Sequence, residues 1–149
     1  MALAVAGAVV LGGCAAIPAD PDGTLDRVRT QGVLRAGASP GADRIEVAGA
    51  DVSGPEAAVV QDFAASLGAH VAWSVGGEEE LVAAMERGEL DLIAGGLTDA
   101  SPWSDRVALT RPYITSASPD GERKHVLAVP MGENALLFAL ESWLDGRAP

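Results

Sequence analysis

Apolar residues recur along this chain at two periods, and the switches between them predict its elements. The run VLRAG, 33–37, is a compact apolar stretch of strand length. A short helix over TLDRVRTQ precedes it and closes at Gly32, while the loop-rich stretch after it suits a brief edge strand at Ile45 and Val47. From Ser53 the period lengthens: Val59, Val60, Phe63, Ala64 and Leu67 fall at helical spacing and form one apolar face, stopped by Gly68. Ser53-Gly54-Pro55-Glu56 opens that helix, since a serine with glutamate three residues on has capping-box spacing and an early proline suits a first turn. AHVAWSV, 69–75, predicts the next strand. A second helix follows Gly76-Gly77, with Glu78, Glu79 and Glu80 in the first turn where the dipole favours negative charge. Leu81, Ala84 and Met85 give it an apolar face, and Arg87-Gly88 ends it. LDLIAGG, 90–96, predicts a third strand and HVLAVP, 125–130, a fourth; Leu136, Leu137, Leu140 and Leu144 mark a final helix.

Strands alternating with helices of this length predict an α/β fold in three layers. Its sheet would be mainly parallel, with about four to five strands and helices on both faces. A chain of 149 residues supplies one domain, and 48% apolar residues exclude general disorder. Aromatics make up only 4%, so the core is built from small aliphatic side chains.

The formal net charge of -11 argues against nucleic acid as a partner, because no basic surface exists to displace phosphate counterions. The N-terminus carries a different signal. MALAVAGAVVLGGCAA is a short apolar run ending in Leu11-Gly12-Gly13-Cys14, with the chain's single cysteine. It resembles a bacterial lipoprotein signal over 1–13, with lipidation of Cys14 and a Pro- and Asp-containing tether over 14–23, although no Lys or Arg precedes the apolar run. The expected location is the periplasm, lipid-anchored to the envelope, with the domain over 24–149. One cysteine forms no disulfide within the chain.

In open α/β sheets ligands bind beyond the carboxyl ends of the strands. Three places qualify: Ala38-Ser39-Pro40 after the first strand, the Ser53–Glu56 helix start, and Gly95–Thr98 after the third strand. Gly95 and Gly96 would let a ligand reach the backbone closely. A free N–H there, the Thr98 hydroxyl and the Arg106 guanidinium compose a carboxylate clamp, since the planar fork of arginine donates two parallel hydrogen bonds. Ser39, Gly95, Gly96, Leu97, Thr98 and Arg106 are therefore the expected ligand-binding residues. Trp103 either stacks on a flat ligand or covers apolar surface. The chain has no Gly-x-Ser-x-Gly elbow and no phosphate loop, and His70 and His125 have no metal-ligand spacing around them. No enzyme, cofactor or metal site is expected.

GVLRAG, the helix opening GPEAAVVQDFAASLG, ELVAAMERGELDLIAGGLT, the pair DR and LTRPY occur in an order that resembles the family 3 extracellular solute-binding proteins. These are type 2 periplasmic binding proteins. The likeness covers about residues 24–113 and resumes at KHVLAVPMGENALLFALESWL. It implies one lobe of a two-lobe clamp, because only ITSASPDGER lies between Tyr113 and Lys124, where the family places a whole second lobe. TDASPWSDR is also longer than the family's usual run from threonine to arginine. The function implied is non-catalytic recognition of a small polar, amino-acid-like solute. A single lobe leaves that solute half wet, so the expected affinity is millimolar at best, about -4 kcal/mol. A transporter subunit or a homodimer partner would complete the cleft. The alternative is a protein-interaction module of the envelope that has lost solute binding, docking a partner through Trp103 and the strand ends.

Overall fold

The computed structural model describes residues 20–41 and 43–147. The signal expected over 1–13, Cys14 and the tether up to residue 19 lie outside the described residues.

Five strands form the central sheet. β1 (Val33–Ala38) pairs in parallel with β4 (His70–Val75) on one side and β5 (Leu92–Ala94) on the other. Beyond β5 lie β9 (Ala128–Pro130) and then β6 (Val107–Leu109), giving the order β4-β1-β5-β9-β6 with β9 antiparallel to both neighbours. A small hairpin of β2 (Glu46–Ala48) and β3 (Asp51–Ser53) sits between β1 and α2 (Pro55–Ser66). A second hairpin, β7 (Ile114–Ser118) with β8 (Gly121–His125), turns at Pro119-Asp120. It occupies the position in the chain where the resemblance implied a second lobe.

The helices cover both faces. α1 (Thr24–Gln31), α2 and α4 (Asn134–Asp145) pack Val28, Val60, Phe63, Leu136 and Leu140 on one face, against Leu34, Ala36 and Leu92. α3 (Glu78–Glu86) packs Leu81, Val82 and Met85 on the other, against Ile93, Val126 and Ala128. Leu92 and Ile93 are adjacent in sequence yet serve opposite cores, as the two-residue period of a strand requires. Both are fully buried, and each such side chain contributes about 1.5–3 kcal/mol. The three-layer α/β architecture is thus the one expected, with five strands.

Two features depart from the sequence reading. β6 was not expected, since three residues carry too little periodicity to register. The β7–β8 hairpin is polar and mostly exposed, so no apolar alternation marks it.

Two buried carboxylates tie the chain ends to the sheet. Asp91, 1% exposed, accepts the Arg35 N–H (2.9 Å), Arg35 Nη2 (2.6 Å) and Arg27 Nη2 (2.5 Å), joining α1, β1 and the start of β5. Glu133, before α4, accepts the N–H groups of Asp22 (3.0 Å) and Thr24 (3.1 Å). Asp20 accepts the Leu25 N–H at 3.0 Å with Oδ2, and its Oδ1 is buried without a hydrogen-bond partner among the described residues. Burial, then the neighbouring Glu133 carboxyl, pushes Asp20 up to about 6 from 3.8. A raised folded-state value means the stabilisation is complete below about 3.8 and is lost as pH rises through about 6. Docking of residues 20–24 on α4 should therefore loosen as pH rises between these two values. Amide hydrogen exchange at Thr24 and Leu25 checks it: protection should fall between about pH 4 and 6 and level off above, and Asp20→Asn should remove the pH dependence. Protection that is flat across this range in the native chain would show that the proton is not held there.

Candidate functional site

The chain leaves β1 through α2 to reach β4 on one side, and returns from β4 through α3 to β5 on the other. Connections therefore diverge between β1 and β5, which makes the carboxyl ends of these two strands the topological switch point. Ser39 and Gly95 meet there. The Ser39 N–H donates to the Ala94 carbonyl at 2.9 Å, and a Cβ on Gly95 would fall 2.6 Å from the Ser39 carbonyl oxygen. Only glycine fits so close to another backbone. Gly96 has φ 76°, a left-handed conformation that glycine adopts without strain.

The two glycine amides are not free for a ligand. Glu56, fully buried in the first turn of α2, accepts both with Oε2: Gly95 N–H at 2.8 Å and Gly96 N–H at 2.7 Å. Its Oε1 accepts the Tyr113 hydroxyl at 2.6 Å and lies 3.7 Å from Arg44 Nε. Arg44 Nη2 in turn donates to the Tyr113 oxygen at 3.2 Å. Burial, then the Glu56 carboxylate, drives the Tyr113 phenol well above its ordinary value, so it stays a donor. The capping box expected of Ser53 and Glu56 is absent: Gly54, at φ 106°, is the N-cap, and no side chain caps it. The glutamate side chain turns toward the sheet edge, where two convergent amides just after β5 offer more hydrogen bonds than one helix N–H.

Thr98 lies at this edge, half-buried, where it bridges His125 at the end of β8. The neighbouring bonds run from the Val126 N–H to the Leu97 carbonyl (3.0 Å) and from the Asp99 N–H to the Lys124 carbonyl (3.0 Å). Leu97 points its side chain into the α3 core. His125 is buried, and its Nε2 meets the Ser116 hydroxyl at 2.7 Å. Burial and the nearby Arg44 charge hold this imidazole below its usual value, hence neutral.

Arg106 departs from the expected clamp. It precedes β6, whose Leu109 pairs with Ala128, the residue opposite Ile93. That register puts Arg106 at the amino ends of the parallel strands, five residues of rise and about 16 Å from the level of Gly95. Its guanidinium is committed to Glu86 on α3 at 2.9 and 2.5 Å, holding that carboxyl below its usual range, and it lies over the Trp103 ring at 5.5 Å. The lengthened segment 99–105 spends its extra residues crossing the sheet, so the arginine arrives at the far end. Trp103 packs on the α3 core and donates Nε1–H to Glu78 at 2.9 Å, the covering role of the two expected for it. Ser39, Gly95, Gly96, Leu97 and Thr98 are brought together; Arg106 is not. Sequence reasoning missed Arg44 and Tyr113, and treated Glu56 as a cap.

Neither a family model nor a curated protein sequence matches the chain. Among solved structures it is similar to a point mutant of the arginine-bound form of domain 1 from TmArgBP, at 22% identity over 82% of this chain and 96% of that one, with a TM-score of 0.72. The chain has the fold of a single solute-binding lobe. An ancestral cationic amino acid solute-binding protein, AncCDT-1, superimposes on the lobe with a TM-score of 0.72 at 13% identity, covering 83% of this chain and 93% of that one. An ancestral cyclohexadienyl dehydratase, AncCDT-3, does so equally, with a TM-score of 0.72 at 13% identity over 82% and 89%. Both binding and catalysis thus occur on this lobe's fold, and its own residues must decide between them. Among the described residues no group of three His, Cys, Asp or Glu is placed to hold a metal, and no helix is long and apolar enough to cross a membrane.

Proposed function

We propose that this lobe is a non-catalytic binding protein for a small polar, amino-acid-like solute, held at the carboxyl edge of β1 and β5. The observation that carries the reading is the meeting of Ser39 and Gly95 at the topological switch point, where open α/β sheets place their ligands. Ser39, the Thr98 hydroxyl and the part of the Gly95–Leu97 backbone other than the two glycine amides that Glu56 holds form the contact edge, without Arg106. The arginine and cationic amino acids named for the structural neighbours support an amino-acid-like solute. The Glu56 carboxylate and the Tyr113 hydroxyl at the edge are engaged in structural hydrogen bonds, which supports binding rather than chemistry at these groups. With the β7–β8 hairpin at the position where the resemblance implies a second lobe, a transporter subunit or a second copy would close over the solute. The lipoprotein-like start supports a periplasmic protein tethered through Cys14.

One observation favours the alternative of an interaction module: Glu56 already occupies both glycine amides. A thermal-shift screen of the full chain separates the two readings. Amino acids and small dicarboxylates are tested at millimolar concentration, with the double variant Ser39→Ala, Thr98→Ala in parallel. A solute at ten times its Kd should stabilise the native chain by about 1.4 kcal/mol and the variant by less. No shift with any compound, from a folded sample, would overturn solute binding and leave the interaction module.

A further inference from the structure

Beside the carboxyl edge, a cavity of about 340 Å³ opens between the turn before β2 and the β7–β8 hairpin, lined by Asp43, Arg44, Ser116, Ser118, Arg123 and His125. Its size lies at the lower end of small-molecule sites, roughly 300–1,000 Å³. Its polar demand is unmet. Arg44, whose side chain is 14% exposed, spends Nη2 on Tyr113, while its Nε is buried without a hydrogen-bond partner among the described residues. Ser118 Oγ and His125 Nδ1 are in the same condition, and His125 itself is 2% exposed. Arg123 is exposed at the mouth and forms no salt bridge among the described residues. Buried polar groups left without partners are uncommon and point to a missing ligand or water.

The charge at this cavity runs against that of the molecule. In a chain of net charge -11, two guanidiniums face a single lining carboxylate, Asp43. Asp43 itself sits at φ 57°, a left-handed turn that aspartate tolerates better than most residues, and the turn delivers Arg44 to the cavity wall. The neighbouring Glu56 carboxylate lies 3.7 Å from Arg44 Nε and pairs with it, so Arg123, which forms no salt bridge among the described residues, is the cation the cavity leaves unmatched.

From this we infer that the hairpin cavity binds a small carboxylate-bearing anion, with Arg123 as its counter-charge, the Arg44 guanidinium of the Arg44–Glu56 pair in its wall and the Ser116 and Ser118 hydroxyls orienting it. Guanidinium forks match carboxylates two bonds at a time, and hydroxyls adapt to either oxygen. The inference rests on the solute-binding reading and sets the class of solute: acidic, opposite in charge to the cationic amino acids named for the neighbours. It also resolves the competition at the glycine amides, since the ligand carboxylate need not displace Glu56.

The test is an amide NMR titration of the full chain with succinate, L-glutamate, inorganic phosphate and L-arginine in separate arms. Succinate and L-glutamate should move the amides of Arg44, Ser116, Ser118 and Arg123, and Arg123→Gln should weaken their binding about tenfold, the effect of removing one charge-assisted contact. Arg123 is exposed, so this variant remains informative even where Arg44→Gln, beside Glu56, fails to fold. L-arginine binding tightest, with shifts at Ser39, Gly96 and Thr98 instead, would overturn the acidic class while upholding solute binding. Phosphate binding alone would overturn the carboxylate assignment, as would unchanged affinity in Arg123→Gln. No response to any probe would overturn both this inference and the solute-binding reading.

Discussion

Glu56→Ala should destabilise the lobe by roughly 3–5 kcal/mol, the cost of removing one partner from a buried charged network. The substitution leaves the Gly95 and Gly96 N–H groups and the Tyr113 hydroxyl without the acceptor that the fully buried Glu56 side chain supplies. Each unmet buried donor costs about 1–3 kcal/mol, so three of them account for the total without any cavity contribution. Glu56→Gln should cost less, about 1–2 kcal/mol, because its amide oxygen still serves both glycines, while the contact with Tyr113 is reversed and the charge opposite Arg44 is lost. Urea denaturation measures both. A loss below about 1 kcal/mol for Glu56→Ala would mean that the edge reorganises around another acceptor, and the Gly95 and Gly96 amide shifts would report which one.

Asp91→Asn ranks second. Asp91 is buried and receives two guanidiniums, one from α1 and one from β1. Breaking a buried pair costs roughly 3–5 kcal/mol, and because Arg27 and Arg35 retain access to water the expected loss is about 2–4 kcal/mol. Burial alone would raise this carboxyl, but hydrogen bonds from Arg35 and Arg27 outweigh it and hold it below 3.8. A depressed folded-state value gives a stabilisation that is present above pH 3.8 and is lost as pH falls through the folded value. The stability gap between the native chain and Asp91→Asn should accordingly be full at pH 7 and narrow below pH 3.8. Equal gaps at both pH values would show that Asp91 is not the charge that matters there.

Much of this fold could be read from periodicity. Val60 and Phe63 on α2, Leu81 and Met85 on α3, and Leu136 and Leu140 on α4 all fall on the buried faces that their spacing predicts. The candidate site was legible only in part. Ser39 and Gly95 follow from the rule that ligands gather at strand ends, which depends on sheet order and not on side-chain detail. Arg106 could not be placed from sequence, because adding residues to a loop does not say whether it bulges in place or crosses the sheet. Glu56 was obscured for another reason. A glutamate three residues after a serine satisfies a local rule, and the competing acceptor role depends on two glycine amides 39 and 40 residues away in sequence. Arg44 and Tyr113 carry no local signal at all; their positions become meaningful only once the buried carboxylate between them is known.

The β7–β8 hairpin also governs how the lobe assembles. From its tip, Ser118 opposite Gly121, the ladder runs down through Ile114 with His125, continues in the Thr110–Leu127 contact, and ends with Val107 opposite Pro130. Residues 107–130 thus form one antiparallel arm in two ladders, interrupted at 110–113, whose closing turn is two residues long. Hairpins of this kind form in about 1–10 μs, far ahead of pairings that must first close long loops. β9 can therefore reach β5 already carried by β6, as a preassembled edge rather than a lone strand. The slow step of folding then falls to the parallel β1–β4 and β1–β5 pairings, and substitutions there, not in the hairpin, should set the refolding rate.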